Sequence, residues 1–355
     1  MQSDRNHAVL LATQFMSEGN GGIAEVARMT AKSLAGRFPT RALACQERED
    51  FQFGAVAIRA YQNSRPRFVA GFALASLHAT RIVHDFVGTA RAQRFALGGG
   101  KRHAVWAHGI EVWGEPRPEH AEALRRSDLV LVNSAYTIER AARALSGARN
   151  VQLCRLGTTH DIVPEFVGIS DGPPTVLLLG RIDPKFPKGH DLLVSIWPRV
   201  VSAVPDARLM FVGGGPALAD AREIAARSRV AASIDVVGFA PADQIDAIWR
   251  RASVMAMPSL GEGFGLVFIE AMRRGVPVIA SRADAGQEIN VDGVTGFNIA
   301  HDKPEQWADA IISLLRDWDA AARLGAAGHA HWRDEYRFSA FDRRLQAAMS
   351  GFLDN

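Results

Sequence analysis

Two segments in the second half of the chain combine glycine turns with charged side chains. In the first, an apolar stretch ends at Pro258 and leads through Glu262 and a glycine-rich turn into an apolar helix that contains Glu270. Glycines let a ligand approach the backbone, and the unpaired amides at a helix start donate to oxygens. The two carboxylates lie no more than ~12 Å apart on a helix, and each accepts from the hydroxyls of a diol. This spacing predicts a ligand in which a sugar and a ribose are separated by a diphosphate, with one carboxylate at each ring. The backbone contacts are predicted at Gly263, Phe264, Gly265 and Leu266.

The second segment supplies positive charge. Arg181 directly follows a predicted strand, and Lys188 stands at the start of a predicted helix. A diphosphate suits a forked donor and a point cation, and a lysine that opposes the helix dipole indicates a bound anion. Lys185 is an alternative to Lys188. Two more glycine turns follow strands, and the second, at Gly238 and Phe239, is predicted to bind a base.

The first half of the chain contains a looser signal. Residues 18–24, with Gly21 and Gly22, fit the dinucleotide fingerprint in its weakest form, and three acids, Glu47, Glu49 and Asp50, follow the second predicted strand. This pattern keeps an NAD site open, although an acid at position 18 would repel a pyrophosphate. His108 ends a predicted strand before a glycine, which predicts a functional histidine at the sheet edge. His84 and Asp85 end the neighbouring strand in the same way.

Short apolar runs alternate with longer amphipathic stretches along the whole chain. This alternation predicts an α/β protein with parallel sheets, whose ligands bind at the carboxyl ends of the strands. A proline- and glycine-rich stretch at 164–174 divides the pattern. Strands are predicted at 7–12, 41–45, 55–60, 82–85, 104–108, 129–133, 151–155, 175–180, 208–212, 234–238, 254–257, 277–280 and 296–299. Helices are predicted at, among others, 23–37, 119–126, 188–204 and 305–318.

The composition excludes several classes of protein. Apolar residues make up 48% and charged residues 22% of the 355 residues, an ordinary globular mix. Cys45 and Cys154 are the only cysteines, which excludes a disulfide scaffold or a Cys-rich zinc module. No run approaches the ~18–20 apolar residues of a membrane helix, and the first residues lack a signal-peptide pattern. A cytoplasmic location is therefore expected.

The net charge of +3 is unevenly distributed. Residues 59–102 contain eight basic side chains and a single acid, Asp85. This run indicates either a solvated face or an anionic partner such as acidic lipid, a phosphorylated acceptor or nucleic acid. Because apolar residues are interleaved, the segment is predicted to form an amphipathic helix on an anionic membrane surface. We expect no nucleic-acid partner.

Taken together, these motifs resemble the retaining glycosyltransferases of family 4. The resemblance is carried by Arg181 with Lys188, the glycine turns at 213–216 and 237–239, the segment 258–270, and residues 275–278 with 293–296. It is close over about 175–330 and loose in the first half. It implies the GT-B fold: two facing Rossmann-like domains with parallel sheets and an interdomain cleft. The implied domains are 1–165, completed by a C-terminal helix near 336–355, and 174–335.

The resemblance implies a nucleoside-diphosphate sugar as donor, bound by the second domain. Its catalytic positions match His108, Glu262, Arg181 and Lys188. Arg181 and Lys188 would bind the diphosphate, and Glu262 with the nearby amides would bind the sugar. The donor-binding positions match Glu270 at the ribose, Gly263, Phe264, Gly265 and Leu266 at the sugar, Gly238 and Phe239, and the loop at Gly21 and Gly22 near the phosphates and acceptor.

The sequence predicts neither a metal nor another cofactor. The one Asp-x-Asp motif, Asp317 with Asp319, is predicted to close a helix, and no histidine pair has zinc spacing. Cations and helix N-termini would then stabilise the leaving diphosphate. A double displacement needs acids ~5 Å apart, and no such pair is evident. A front-face path, in which the leaving phosphate takes the acceptor's proton, is therefore expected.

The expected reaction moves a mannose- or glucose-type hexose from a GDP- or UDP-sugar to a hydroxyl of a glycan or lipid-linked acceptor. Cell-envelope polysaccharide or glycolipid synthesis at the inner membrane face is the expected setting. Three alternatives stay open: a UDP-sugar 2-epimerase, an NAD-dependent dehydrogenase, and a non-catalytic nucleotide-sugar-binding protein. Two positions depart from the family pattern: Gln287 stands where proline is usual, and residues 185–187 look inserted.

Overall fold

The computed structural model describes residues 8–165, 167–168, 172–185 and 187–353. The chain divides into two compact units: the first comprises Met1–Thr159 with Phe338–Asn355, and the second comprises His160–Arg337. Parts of two sequence-based predictions, the strand residue at position 7 and several residues of the stretch 164–174, lie outside the described residues. The rest of that stretch belongs to the beginning of the second unit.

The first unit is built on an eight-stranded sheet. Its strands are β1 (Val9–Thr13), β2 (Thr40–Ala44), β3 (Phe51–Phe53), β4 (Val56–Ala60), β5 (Arg81–His84), β6 (Arg102–Ala107), β7 (Leu129–Val132) and β8 (Val151–Leu153). Their order across the sheet is β3-β4-β2-β1-β5-β6-β7-β8, and all neighbours are parallel except β3, which is antiparallel to β4. The chain reverses its direction of winding between β1 and β5. The carboxyl ends there form the crevice where such sheets bind ligands.

The helices of the first unit cover this sheet, so its central strands are continuous apolar runs. They are α1 (Gly21–Ala35), α2 (Arg65–Ser76), α3 (Val87–Ala90), α4 (Pro118–Arg126), α5 (Ala135–Arg140) and α6 (Ala142–Leu145), with a 3-10 turn at Arg91–Phe95. The last helix of the chain, α14 (Phe338–Leu353), also packs in this unit. Arg81 and Arg102 donate to the carbonyls of Phe352 and Gly351 at 2.6 and 3.1 Å, which satisfies the end of that helix.

The second unit contains a fully parallel six-stranded sheet. Its strands are β9 (Thr175–Leu179), β10 (Arg208–Val212), β11 (Ile234–Gly238), β12 (Val254–Met257), β13 (Val278–Ser281) and β14 (Gly296–Ile299). They lie in the order β11-β10-β9-β12-β13-β14. The helices are α7 (His190–Ala203), α8 (Leu218–Ala226), α9 (Ala242–Arg251), α10 (Leu266–Arg273), α11 (Gly286–Ile289), α12 (Pro304–Arg316) and α13 (Trp318–His331). A 3-10 turn at Ala231–Ser233 lies directly before β11, and a π-type turn at Trp332–Tyr336 follows α13. Here the winding reverses between β9 and β12, which places the predicted site at the switch point.

Both units are therefore Rossmann-like α/β layers, as predicted. The strand β3 was missed because its three residues form only an edge hairpin with β4. The motif at Asp317 and Asp319 does not simply close a helix. The side chain of Asp317 accepts from the amide of Ala320 at 2.8 Å and so caps the start of α13.

The predicted amphipathic helix over 59–102 is wrong. The segment contains a helix, a strand and further short turns, and Phe68 and Phe72 on α2 are buried in the core against the sheet. These two side chains are therefore unable to contact lipid. None of the helices in the described part of the chain has the length and apolarity that crossing a bilayer requires.

Candidate functional site

The turn between β12 and α10 contains the predicted sugar-binding residues. It begins at Pro258 and ends at Gly265, whose φ of +95° places it in the left-handed region. A β-carbon at Gly265 would lie 2.6 Å from Cε2 of Phe268, so only glycine fits. The helix that follows buries Phe268 and Ile269 and begins at Leu266. Its first amides therefore lie at the carboxyl end of the sheet with the helix dipole behind them.

Lys188 and Glu262 form an ion pair with each other. Only 11% of the Lys188 side chain and 19% of the Glu262 side chain is exposed to solvent. The contact exists because Gly189 packs so closely on Pro258 that a β-carbon there would lie 2.5 Å from the proline carbonyl oxygen. The amide of Leu260 also donates to the carbonyl of Pro187 at 3.2 Å. The sequence assigned the lysine and the glutamate to different parts of the ligand, whereas the structure joins them.

The inserted residues 185–187 leave Lys188 at the site. Lys185, the alternative cation, is exposed, and its amide donates to Asp183 at 3.0 Å. Phe186 lies outside the described residues. Lys188 therefore fits the predicted role better than Lys185 because its ammonium already lies against the sugar-binding turn.

Asp284 anchors the predicted sugar-binding turn, although no sequence motif indicated it. It is fully buried in the loop after β13 and accepts from the amide of Gly286 at 2.9 Å and the amide of Glu262 at 3.2 Å. The hydroxyl of Ser259, also fully buried, donates to the same carboxyl oxygen as Glu262. Burial raises the pKa of Asp284 to about 7, hydrogen bonds from Ser259 and the two amides lower it, and the nearby charge of Glu262 raises it.

Three turns meet at the carboxyl ends of β9, β10 and β11. The amide of Ile182 donates to Gly214 at 3.0 Å, and the amide of Gly213 donates to Gly238 at 2.8 Å. Arg181 and Phe239 are the exposed side chains of this rim, and Phe239 retains 64% of its exposure. An exposed aromatic ring beside free backbone can stack on a base. This is the kind of surface that the sequence predicted at Gly238 and Phe239.

Glu270, the predicted ribose ligand, is half-buried on α10 between the buried Ile269 and Ala271. Its backbone carbonyl accepts from Arg274 at 3.3 Å. The structure thus places Glu262 in the turn before α10 and Glu270 within that helix.

In the first unit, the glycine loop follows β1 and opens α1 at Gly21, two residues before the predicted start. Gly21 and Gly22 are exposed, and nothing lies within 4 Å of where a β-carbon of Gly21 would be. Glu47 holds the base of this loop, since its carboxylate accepts from the amides of Met16 and Ser17, both at 2.7 Å. Asp50, another of the three acids that kept an NAD site open, accepts from the amide of Ala60 at 2.8 Å and pairs with Arg59. Acids engaged in this way do not serve a ribose.

His108 lies at the carboxyl edge of the first sheet, directly after β6. Its Nε2 atom contacts the backbone carbonyl of Asp85 at 2.5 Å, and its ring stacks on Trp106 with a centroid distance of 5.9 Å. A carbonyl oxygen only accepts, so Nε2 carries the proton of this hydrogen bond. The side chain of Asn133 donates to the carbonyl of His108 at 2.9 Å.

Asp85 itself is fully buried after β5, and its carboxyl contacts the hydroxyl of Thr13 at 2.6 Å. That hydroxyl also contacts the carbonyl of Phe15 at 2.8 Å, which can only accept its single proton. A protonated Asp85 can donate to Thr13 while that hydroxyl donates to Phe15. Burial raises the pKa of Asp85 well above its usual value, in agreement with this assignment.

Metal-binding geometry is absent from the described residues: no three His, Cys, Asp or Glu side chains converge there. The charged side chains at the predicted site include Lys188, which pairs with Glu262, and Arg181, which pairs with Asp183 at 3.3 Å.

Comparison with known proteins identifies the family. Residues 159–331 match the model of the glycosyl transferases group 1. A GDP-mannose-dependent alpha-(1-6)-phosphatidylinositol monomannoside mannosyltransferase of Mycobacterium tuberculosis is 32% identical over 280 residues, which cover 73% of this chain and 72% of the relative. The chain belongs to this glycosyltransferase family.

Other family members and solved structures agree. A monoacylated-acceptor counterpart from Corynebacterium glutamicum is 28% identical over 67% of both chains. Sucrose-phosphate synthase from Thermosynechococcus elongatus has a TM-score of 0.82 at 20% identity and covers 98% of this chain and 100% of its own. Anabaena HepE in complex with UDP and glucose has a TM-score of 0.77 at 18% identity, with 96% and 99% covered. The predicted GT-B fold class and hexosyltransferase activity are confirmed.

Proposed function

We propose that this glycosyltransferase transfers mannose from GDP-mannose to a hydroxyl of a lipid-linked acceptor, with retention of the anomeric configuration and without a metal. The observation that carries the proposal is the Lys188–Glu262 pair, set against the N-terminus of α10 in a chain that belongs to the family. GDP-mannose is favoured over a UDP-sugar because the two relatives described above, which match 73% and 67% of this chain, are both GDP-mannose-dependent by name.

In this proposal the second unit binds the donor. Arg181 and Lys188 neutralise the diphosphate, Glu270 accepts from the ribose hydroxyls, and Glu262 accepts from the sugar hydroxyls. Phe239 stacks on the base at the rim. Binding of the diphosphate beside Lys188 would compete with Glu262 for the ammonium, so the carboxylate becomes available to the sugar when the donor binds.

Charge stabilisation is the main catalytic device. As the anomeric bond breaks, negative charge grows on the leaving phosphate, and Lys188, Arg181 and the amides of α10 are positioned to stabilise it. The leaving phosphate then takes the proton of the acceptor hydroxyl on the same face of the sugar. The first unit contributes His108 and the glycine loop at Gly21 and Gly22, which we assign to catalysis and acceptor binding.

An anionic membrane surface is the proposed setting of the acceptor. Four exposed apolar side chains, from the end of α2 and from the 3-10 turn at Arg91–Phe95 and the residues after it, form what we call the apolar patch: Leu74, Leu77, Phe95 and Leu97, which retain 63%, 47%, 42% and 44% of their exposure. The amide of Leu97 donates to Ser76 at 2.8 Å, which joins the turn to the helix.

A basic side chain contacts the apolar patch, since Arg94 lies over the ring of Phe95 at 4.7 Å. Arg65 and Arg67 are exposed in the first turn of α2, at the opposite end of the helix from Leu74 and Leu77. The one acid of residues 59–102 is the buried Asp85. Apolar insertion combined with basic side chains is the pattern of a reversible contact with anionic lipid. We therefore assign the proposed contact to the exposed end of α2, because its other face is buried.

Turnover of the full chain with GDP-mannose tests the proposal. Phosphatidylinositol and its monomannoside serve as acceptors, UDP-glucose serves as the comparison donor, and each reaction is repeated with EDTA. We expect a mannosylated lipid with an α-linkage, formed equally well with EDTA. A product of inverted configuration, or loss of turnover with EDTA, would contradict the proposal.

The same assay separates the alternatives. Conversion of UDP-N-acetylglucosamine in the absence of an acceptor would indicate the 2-epimerase. Binding of GDP-mannose with neither hydrolysis nor transfer to any acceptor would indicate a non-catalytic protein.

A further inference from the structure

We propose that Asp284 is a positioning residue whose ionised carboxylate holds the turn at Glu262 in the form that binds the donor's sugar. The inference rests on the proposed donor site of the second unit. Among the hydrogen bonds of the described residues, none joins Asp284 to Arg181, which is assigned to the diphosphate, or to Phe239, which is assigned to the base.

The contacts of Asp284 tie two loops together. One carboxyl oxygen accepts from the amide of Gly286 in its own loop at 2.9 Å. The other accepts from the amide of Glu262 at 3.2 Å and from the hydroxyl of Ser259. A return bond runs from the amide of Ala285 to the carbonyl of Glu262 at 3.0 Å. The backbone of Glu262 is therefore held on both sides by the loop that contains Asp284.

Only the carboxylate matches this set of donors. Two backbone amides can do nothing but donate, and each needs an acceptor oxygen. An asparagine side chain offers one oxygen and turns its amino group towards a donor. A protonated aspartic acid carries a hydrogen on one of the two oxygens. The hydroxyl of Ser259 can turn to accept that hydrogen, but a backbone amide bound to the same oxygen can only donate and loses its charged acceptor. Loss of the charge at Asp284 should thus release the turn at Glu262.

Ionisation of Asp284 falls in an accessible pH range. Burial raises its pKa to about 7, with a further increase from the charge of Glu262. His190 stays neutral above pH 5 because burial lowers its pKa to about 4. Other titratable or charged groups on the elements packed around Asp284 are Glu262, Lys188, Arg282, Glu288 and His301, together with Glu270 and Arg273 of α10 and Arg274 at its C-terminal end.

The consequence concerns the sugar more than the nucleotide. Glu262 and the neighbouring amides are assigned to the sugar, whereas Arg181, Lys188, Glu270 and Phe239 are assigned to the rest of the donor, and of these Lys188 pairs with Glu262. A loosened turn should therefore reduce the ratio of the GDP dissociation constant to the GDP-mannose dissociation constant. A general loss of folding would weaken both ligands alike, so this ratio separates positioning from structural support.

Calorimetric titration of the full chain with GDP and with GDP-mannose, at pH values from 6 to 8.5, tests the inference. We expect Asp284→Asn to reduce the ratio about tenfold at pH 8. In the wild type the ratio should fall as the pH is lowered through 7, and in the variant it should be flat. Ser259→Ala retains the charge of Asp284 and should reduce the ratio less. This variant also tests the inference if Asp284→Asn fails to fold. Asp317→Asn removes a carboxylate that accepts an amide at the start of α13 and should leave the ratio unchanged.

Each outcome decides a different point. If Asp284→Asn and Ser259→Ala weaken GDP and GDP-mannose equally, or if the pH dependence persists in Asp284→Asn, the positioning role is overturned while the donor site stands. If wild-type protein binds neither GDP-mannose nor UDP-glucose more tightly than the free nucleotide diphosphates, the proposed sugar site fails, and the inference fails with it.

Discussion

The Nε2 atom of His108 lies 2.5 Å from the backbone carbonyl oxygen of Asp85, so the residues that directly follow two neighbouring strands are joined at the carboxyl edge of the first sheet. The same Asp85 contacts Thr13 through its carboxyl. One buried residue thus holds both the imidazole and the strand that leads into the glycine loop. Two predictions follow from this arrangement.

Replacement of His108 by alanine should lower kcat by about a hundredfold, a typical loss for a positioned imidazole. GDP binding, which we assign to the second unit, should be unchanged. The measurement is steady-state transfer together with GDP titration. His329→Ala is a matched control because its ring also contacts a backbone carbonyl, that of Arg273 at 2.8 Å, outside the predicted site. Equal effects of the two substitutions would argue against a catalytic role for His108.

The stability of Asp85→Asn relative to wild type should rise with pH. Asp85 has a raised pKa in the folded state, so it stays protonated there while the unfolded chain ionises above about pH 4. Its contribution is therefore fully present below pH 4 and is lost as the pH rises towards the raised value. Asparagine does not titrate and can still donate to Thr13. Thermal melts at pH 4 to 7 should show the difference in Tm shifting in favour of the variant; a constant difference would show that Asp85 is ionised when folded.

Lys188 and Glu262 should act as a unit. Lys188→Ala and Glu262→Ala are each expected to lower kcat/KM by about a hundredfold, since each removes one charged ligand of the donor and leaves its partner half-buried without a counter-charge. The double variant should lose little more than the worse single variant. Transfer kinetics of all four proteins provide the cycle. Fully additive losses would mean that the two side chains contribute independently.

Gly189→Ala should damage stability and activity together. Gly189 has a φ of +85°, and a β-carbon there would meet Pro258. We expect a loss of about 3 kcal/mol or more in the free energy of unfolding. Gly99→Ala is the matched control, because its φ is +59° and nothing lies within 4 Å of its β-carbon position. It should cost about 1 kcal/mol from backbone strain alone. Denaturant titration compares the two, and similar losses would contradict the packing argument.

Charges in the apolar patch should abolish membrane binding. Leu77→Glu with Leu97→Glu should reduce co-sedimentation with vesicles rich in anionic lipid at least about tenfold and leave GDP binding intact. Ile224→Glu, at an exposed apolar position of the second unit, controls for the added charge. Binding of wild-type protein should weaken as salt is added. Wild-type binding that is indifferent to salt, or unaffected by the double substitution, would count against the lipid contact.

Most of the fold could be predicted from local sequence patterns. Parallel strands are buried on both faces, so runs such as Arg208–Val212 and Val254–Met257 were predicted at their observed bounds. The antiparallel strand β3 is short and half-exposed, and its sequence has no such run. The single helix predicted over residues 59–102 was wrong, because apolar spacing on α2 cannot distinguish a face that packs on a sheet from one that faces lipid. The contact of this segment with lipid stays a prediction.

The candidate site was only partly predictable. Glycine turns after strands and charges at helix starts placed Glu262 and Lys188 near a ligand, because those features act over a few residues. Their mutual pairing depends on how closely Gly189 packs on Pro258, a contact between distant parts of the chain. Asp284 gave no signal, since a lone aspartate in a loop resembles any solvated turn until burial and three converging donors distinguish it.

The position of α14 sets an order of events during synthesis. Its final carbonyls are held by Arg81 and Arg102, yet it leaves the ribosome only after every residue of His160–Arg337. The second unit is continuous in the chain and can complete its sheet while the first still lacks a helix. Nascent chains that stall before Phe338 should therefore expose the apolar surface that this helix covers, including the side of Trp106 that stacks on Phe341.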